Sequence, residues 1–212
     1  LLRREGFKDN HKRVYRLYKA EGLNLRSKPH RRSRAGMLRE NHPSVKEINE
    51  CWSMDFVSDA LYNGQKFRTL TIIDNFSRKC VALEVGRSLK GNDVVNTLEQ
   101  LQVLYGIKPR RIKVDNGPEF VSKELDRWAY GNKVTLDFSR SGRHTDNPFI
   151  ESFNGSFRDE CLNTNWFLSL QDARAKIELW RRDYNSYRPH SSLQDRTPEQ
   201  VEFDMYFEMH NS

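Results

Sequence analysis

Long apolar stretches are missing from this sequence. None approaches the roughly 18 consecutive residues of a membrane-spanning helix, and no charged start leads into an apolar signal segment. Neither membrane insertion nor secretion is expected, and a cytoplasmic location is. Cysteine is scarce: Cys51, Cys80 and Cys161 are odd in number and far apart, with no Cys-x-x-Cys pair and no compact Cys/His set. A disulfide framework and a zinc module are thereby not indicated. There is no internal repeat and no low-complexity segment. What remains, 212 residues of 36% hydrophobic and 31% charged composition, suffices for one sizeable core and a smaller appendage. The chain starts at Leu1 in what reads as the end of a helix, so a fragment or processed product is expected, with some function upstream.

Acidic residues are also short at one end. Residues 1–40 hold 13 Lys and Arg against 4 Asp and Glu, whereas residues 41–212 hold 23 against 25, so the net charge of +7 belongs to the N-terminal arm. Such a concentration favours a polyanion, because each phosphate neutralised by Lys or Arg releases counterions; the alternative is a merely solvated basic tail. Within the arm, Leu1 to Glu5 reads as a helix end and Gly6 as a stop. Asn10 would cap a second helix through Ala20 that Gly22 ends. In that helix Val14, Leu17 and Tyr18 form an inward stripe, while Lys12, Arg13, Arg16 and Lys19 point elsewhere, as on a helix laid against DNA. A partial helix-turn-helix over 1–22 and a flexible basic linker over 23–46 are expected, with a boundary near Pro43.

From Trp52 the pattern turns to strands. Ser53 to Val57 is β-prone, and Asn63-Gly64 signals a tight hairpin into Phe67 to Asp74. Lys79 to Val85 follows after a turn, giving an antiparallel meander. Asp93 to Tyr105 has helical periodicity through Val94, Val95, Leu98, Leu101 and Leu104. A short strand at Arg111 to Asp115, a helix over Phe120 to Tyr130 and a short strand at Val134 to Asp137 come next, and a further helix spans Glu178 to Tyr187. The class is α/β, with a mixed five-stranded sheet and helices on its faces. The core with its C-terminal helical extension is expected over 47–205, and a tail over 206–212.

Between these last elements lies Asn147 to Gly155. Asn147 suits an N-cap and Pro148 the first helical position. Ile150, Phe153, Phe157 and Cys161 recur at spacings of three and four and face a core, while Glu151, Asn154 and Arg158 form a polar row beside them. Glu151 is read either as a complement to the helix dipole or as part of a site. Asp55 sits inside a strand, where an unpaired carboxylate is disfavoured. Asp115 closes a strand before the turn Asn116-Gly117-Pro118, as a turn cap or a site residue. Three such acids are what two hard divalent cations require. Asp59, Asp74, Glu119 and Asp146 are rivals, of which Asp74 suits the turn after the second strand, Asp146 the loop before the helix and Glu119 the start of the next helix.

Trp52-Ser53-Met54-Asp55-Phe56, Asp115-Asn116-Gly117-Pro118-Glu119-Phe120 and Asp146-Asn147-Pro148-Phe149-Ile150-Glu151-Ser152-Phe153-Asn154-Gly155 resemble, in order, the three catalytic blocks of DDE transposases and retroviral-type integrases. The 35 residues between Asp115 and Glu151 match that family's spacing. Tyr184 to Leu193 and Arg196-Thr197-Pro198-Glu199 resemble the C-terminal signature of second-reading-frame (OrfB-type) transposases of bacterial insertion sequences, and Lys12 to Leu17 resembles their helix-turn-helix segment. Pro148 stands where the family usually has Ala, and Gln194 where Gly is common.

The resemblance implies an RNase H-like fold. It implies that Asp55, Asp115 and Glu151 bind two Mg²⁺ or Mn²⁺ ions, and that water and then a DNA 3′-hydroxyl attack phosphate at the ends of a mobile element. Asn116, Asn154 and Arg158 are implied as orienting or DNA-contacting neighbours. Element terminal repeats, target DNA and further copies of the chain on that DNA are the implied partners, with no membrane partner and with nucleoid association when on DNA. Two alternatives stand beside it: a catalytically silent DNA-binding remnant, which would not turn over with Mn²⁺, and an RNase H-like nuclease, which would hydrolyse without joining.

Overall fold

The computed structural model describes residues 5–23, 45–139 and 147–210. The helix end at 1–4, nearly all of the expected linker and Asp146 lie outside them. Two units divide at Ser44/Val45. In the first, α1 (His11–Ala20) starts where expected, the Asn10 side-chain Oδ1 accepting from Lys12 N–H at 2.9 Å, and Gly22 follows with φ +67°. The expected inward stripe is not buried: Leu17 and Tyr18 are exposed, because the described part of this unit offers no second element to cover them.

The second unit is built on a five-stranded sheet. Its strands are β1 (Cys51–Ala60), β2 (Lys66–Asp74), β3 (Cys80–Gly86), β4 (Arg111–Val114) and β5 (Thr135–Phe138), in the order β3-β2-β1-β4-β5. The first three form the antiparallel meander, and β4 and β5 run parallel to β1. Gly64 at φ +82° makes the β1–β2 hairpin. Asp74 takes the turn role expected of it: its Oδ1 accepts from Phe76 N–H, Ser77 N–H and the Ser77 hydroxyl, and its Oδ2 from Asn49 N–H. Burial still pushes its carboxyl above the usual range in spite of those bonds.

Strand periodicity sorts the side chains onto two faces. Trp52 and Met54 of β1 and Ile112 and Val114 of β4 join the core under α2 (Gly91–Tyr105) and α3 (Lys123–Asn132). Ser53, Asp55 and Val57 therefore face the other side, where α4 (Pro148–Phe157) and α5 (Leu170–Ser186) pack through Ile150, Phe153, Phe157, Ile177 and Tyr184. Asp55 was thus aimed at α4 by its strand position alone. After α4 the helix widens into a π-helical turn, Arg158–Leu162, which carries the buried Cys161.

Two helix starts differ from expectation. The helix expected from Phe120 begins at Lys123 because Ser122 caps it, its oxygen accepting from Leu125 N–H at 3.2 Å. The helix expected from Glu178 begins eight residues earlier, at Leu170, where Ser169 accepts from Asp172 N–H at 3.1 Å. The last helix, α6 (Pro198–His210), runs into the stretch expected as a tail. Among the described residues no helix is long and apolar enough to cross a membrane.

Gln194 sits in the left-handed region at φ +58°, exposed, in the turn after Leu193. Left-handed backbone costs a side-chain-bearing residue about 1–2 kcal/mol, and the extra freedom of an unfolded glycine returns about 0.5–1 kcal/mol of any gain. Gln194→Gly is expected to raise unfolding stability by up to about 1 kcal/mol, measured as a higher urea midpoint at constant slope.

Candidate active site

α4 is tied to β1 by polar contacts along its length. Asn147 occupies the N-cap position, but its side chain does not cap the helix as expected. Instead its Oδ1 accepts from the Ser53 hydroxyl at 2.6 Å, a buried bond across 94 residues of sequence. Asn154 Nδ2 donates to Asp55 Oδ2 at 2.7 Å, and Arg158 Nη2 to Ser58 O at 3.3 Å. The polar row read from helical spacing thus runs along β1. Glu151, exposed in the first turn of α4, belongs to the same row as Asn154.

Asp115 arrives by sheet register. Ser53 of β1 pairs with Lys113 of β4 in parallel, so Asp115, just past the end of β4, leaves the sheet next to the part of β1 that runs on to Asp55, near enough for its charge to act there. Asp115 is exposed and its Oδ1 accepts from Gly117 N–H at 2.9 Å, so it does cap its turn while its second oxygen faces out of that bond. A Cβ at Gly117 would stand 2.9 Å from Asp115 Oδ1, so a side chain there would push the Asp115 carboxylate aside. Asn116 Nδ2 reaches across to Ser139 O at 2.7 Å and pins the loop to the end of β5.

Electrostatics ties the three acids together. Asp55 is pushed above the usual carboxylate range, first by burial and then by the negative charges of Asp115 and Glu151, against the hydrogen bonds from Phe56 N–H and Asn154. Among the described residues no group of three His, Cys, Asp or Glu side chains is gathered tightly enough to make a ready metal cage. Carboxylates that repel one another keep apart until a cation screens them. The donor set nonetheless fits a hard divalent ion: it offers carboxylate oxygens only, and the buried Asn154 Oδ1 beside it lacks a hydrogen-bond partner.

Sequence reasoning missed a brace behind Asp115. Glu119 does not start a helix; it forms an ion pair with Arg68 of β2. Burial works to raise the Glu119 carboxyl, but the hydrogen bond and charge of Arg68 outweigh it and hold it low. The Arg68 guanidinium also lies 4.2 Å over the Phe56 ring, which stacks on Phe120 at 5.1 Å. The hairpin signal misleads on register here: a two-residue turn at Asn63-Gly64 would set Thr69 opposite Ser58, whereas the hairpin closes one residue wider, Leu61 N–H donating to Gln65 O, so that Ser58 pairs with Arg68 and Arg68 lies diagonal to Phe56. Of the rivals, Asp74 serves its turn, Asp146 lies outside the described residues, and Asp59 Oδ1 accepts from Ala60 N–H. The basic residues Lys12, Arg13, Arg16 and Lys19 lie on α1 of the first unit, where Arg13 pairs with Asp9 at 3.1 Å.

The sequence matches the integrase core domain over residues 46–144 and again over 132–198. It is 46% identical to an uncharacterized 31.7 kDa protein of insertion element IS407 from Burkholderia multivorans, over 93% of this chain and 71% of that protein. The chain belongs to the insertion-sequence transposases of the integrase superfamily. A second relative of this transposase, an uncharacterized 39.2 kDa protein of insertion element IS476 from Xanthomonas euvesicatoria, is 43% identical over 91% of the chain and 55% of its own length. The transposase fold is also similar to the catalytic core of HTLV-2 integrase solved in complex with magnesium. The TM-score is 0.54 at 21% identity, covering 72% of this chain and 95% of that one. The RNase H-like fold expected from the resemblance is therefore the fold of this transposase. Its family is one of polynucleotidyl transferases, integrase-like proteins that bind DNA, form oligomers and typically use divalent metals.

Proposed function

We propose that Asp55, Asp115 and Glu151 are the catalytic acids with which this transposase cuts and joins DNA at the ends of a mobile element. The observation that carries the reading is Asp55: a strand carboxylate held by Asn154, three residues beyond Glu151 on α4, and raised first by burial and then by the charges of Asp115 and Glu151. These three side chains would hold two Mg²⁺ or Mn²⁺ ions, which when bound supply charge neutralisation at the attacking and leaving oxygens of a phosphodiester. The protein keeps the acids in register: Phe56 N–H and Asn154 orient Asp55, the Gly117 N–H orients Asp115, and the buried stripe of α4 holds Glu151 over the sheet. Water attacks in cleavage, and the freed 3′-hydroxyl attacks target DNA in strand transfer, with no covalent protein intermediate. Asn116 follows Asp115, Asn154 holds Asp55 and Arg158 lies further along β1 at Ser58; all three are assigned to the DNA as it lies across the acids. Element ends and target DNA are the substrates, and further copies of the chain the partners on that DNA.

The test is a joining assay on labelled DNA carrying the element end. Glu151→Gln should lose joining and keep DNA binding; joining at the parental rate would reject the assignment. Products resolved on a gel separate joining from plain hydrolysis.

For the basic arm, Lys12, Arg13, Arg16 and Lys19 are assigned to phosphate contacts. DNA affinity should fall steeply with salt, and Lys12→Ala or Arg16→Ala should each flatten the slope of log K against log salt by about 0.9. Arg13→Ala should change it less, since its guanidinium is shared with Asp9. A salt-independent affinity measured by titration would reject the assignment.

A further inference from the structure

We propose that the C-terminal signature, Tyr184 to Leu193, is a positioning device for α4, with Arg188 as its grip; this rests on the reading of Glu151 as a catalytic acid. The segment is first made fast to the sheet. Asn185 is buried, and its amide closes on both backbone groups of Cys80 at the start of β3: Cys80 N–H donates to Oδ1 at 2.8 Å and Nδ2 donates to Cys80 O at 2.9 Å. One residue earlier, Tyr184 stands edge-on to Phe153 of α4, their ring centres 5.0 Å apart. His190 packs edge-on against Tyr184 from the other side at 4.5 Å, with its Nε2 3.1 Å from Tyr184 O. The signature thus touches α4 two residues from Glu151.

The second grip lies past the end of α4. Arg188 Nε reaches Glu160 Oε2 at 2.9 Å and Oε1 at 3.2 Å, and its Nη2 reaches Oε1 at 2.5 Å, a forked pairing. Glu160 belongs to the π-helical turn that continues α4. Such a turn is one residue wider than an α-helical one; it is rare and occurs mostly as a single turn within a helix, often at a functional site. Rewinding it would swing Glu160 around the helix and break the fork. Arg188 therefore sets the rotation of the helix downstream, Tyr184 sets it upstream, and Asn185 refers both to the sheet that carries Asp55. Arg188 and Tyr184 are positioning residues; neither is placed against DNA.

The magnitudes separate positioning from general stabilisation. The Arg188–Glu160 pair is partly exposed, with side chains 30% and 36% accessible, and pairs of that kind contribute little to global stability. Misplacing a catalytic group by about 1 Å, in contrast, can cost about 100-fold in rate.

The test uses the full chain with Arg188→Ala, Glu160→Ala, Arg188→Lys and the double exchange Glu160→Arg with Arg188→Glu. Joining is measured as kcat and as KM for element-end DNA, and amide hydrogen exchange is followed across 149–157 without metal. The single alanine variants should lose about tenfold in kcat with KM and unfolding midpoint unchanged, and should exchange faster in α4. Arg188→Lys and the double exchange should recover part of both. Parental exchange rates in α4 in the alanine variants, or a loss of joining that tracks the unfolding midpoint and is not recovered, would overturn the positioning role. Joining that survives Glu151→Gln would instead remove the catalytic reading, and the exchange result would stand by itself.

Discussion

Asp55→Asn is expected to abolish DNA joining and, in metal-free buffer, to make the protein more stable. Losing an outer-shell partner of a metal ligand costs roughly 10–100-fold, so losing the ligand itself should exceed about 100-fold in joining rate. Stability runs the other way. The Asp55 carboxyl is raised in the folded protein by burial and by Asp115 and Glu151. A carboxyl so raised keeps its proton in the folded state to a higher pH than in the unfolded chain. Stability is therefore lost as pH climbs from the ordinary carboxylate range through the raised one. A neutral amide of the same shape carries no such charge. Its hydrogen bonds can also be met: the Asn154 side chain, whose Oδ1 is buried without a partner, can turn over and accept from the new amide while Phe56 N–H keeps its acceptor. The measurement is a joining assay beside urea unfolding in EDTA at pH 7. A variant both inactive and less stable would mean that Asp55 is a structural carboxylate.

Much of this site was open to a strand-and-helix reading, and the part that was not has a common cause. The Asn63-Gly64 turn, the β-prone runs and the stripe of Ile150, Phe153 and Phe157 are local, and the structure follows them closely. Starts of helices failed where a cap outweighed apolar spacing, as at Ser122 and Ser169, and Phe120 proved to be a stacking partner of Phe56 and not a helical residue. Asn147, just before Pro148, suits a cap, yet Ser53, 94 residues away, claims its side chain. Contacts of that range have no periodicity to betray them. The approach of Asp55, Asp115 and Glu151 is of the same kind: spacing along one helix links Glu151 to Asn154, but only the parallel pairing of β1 with β4 brings Asp115 in, and the resemblance of three motifs was what suggested it beforehand. The widened turn after Phe157 leaves no mark in the sequence at all, since Cys161 is buried as an ordinary helix would have it.

Phe157→Ala should be the most destabilising change on α4, by about 3–5 kcal/mol. The ring is fully buried; it lies 5.1 Å from Trp180 and 6.3 Å from Phe153, which in turn meets Tyr184. Truncation removes the transfer energy of the ring and leaves a cavity that α4, anchored to β1 by the contacts of Asn147 and Asn154, cannot close. Against a typical total of about 5–15 kcal/mol, that loss leaves the fold marginal. Phe149, on the same helix, provides the control. It is 37% exposed and packs under the Arg78 guanidinium at 3.6 Å, so Phe149→Ala should cost only about 1 kcal/mol. The two variants compared by urea unfolding test whether α4 is held by its buried stripe or by its polar row. Equal losses would favour the row, with Asn147, Asn154 and Arg158 as the true fastening. A large gap would favour the stripe, and Glu151 would then owe its place to the packing of Ile150, Phe153 and Phe157 against the sheet.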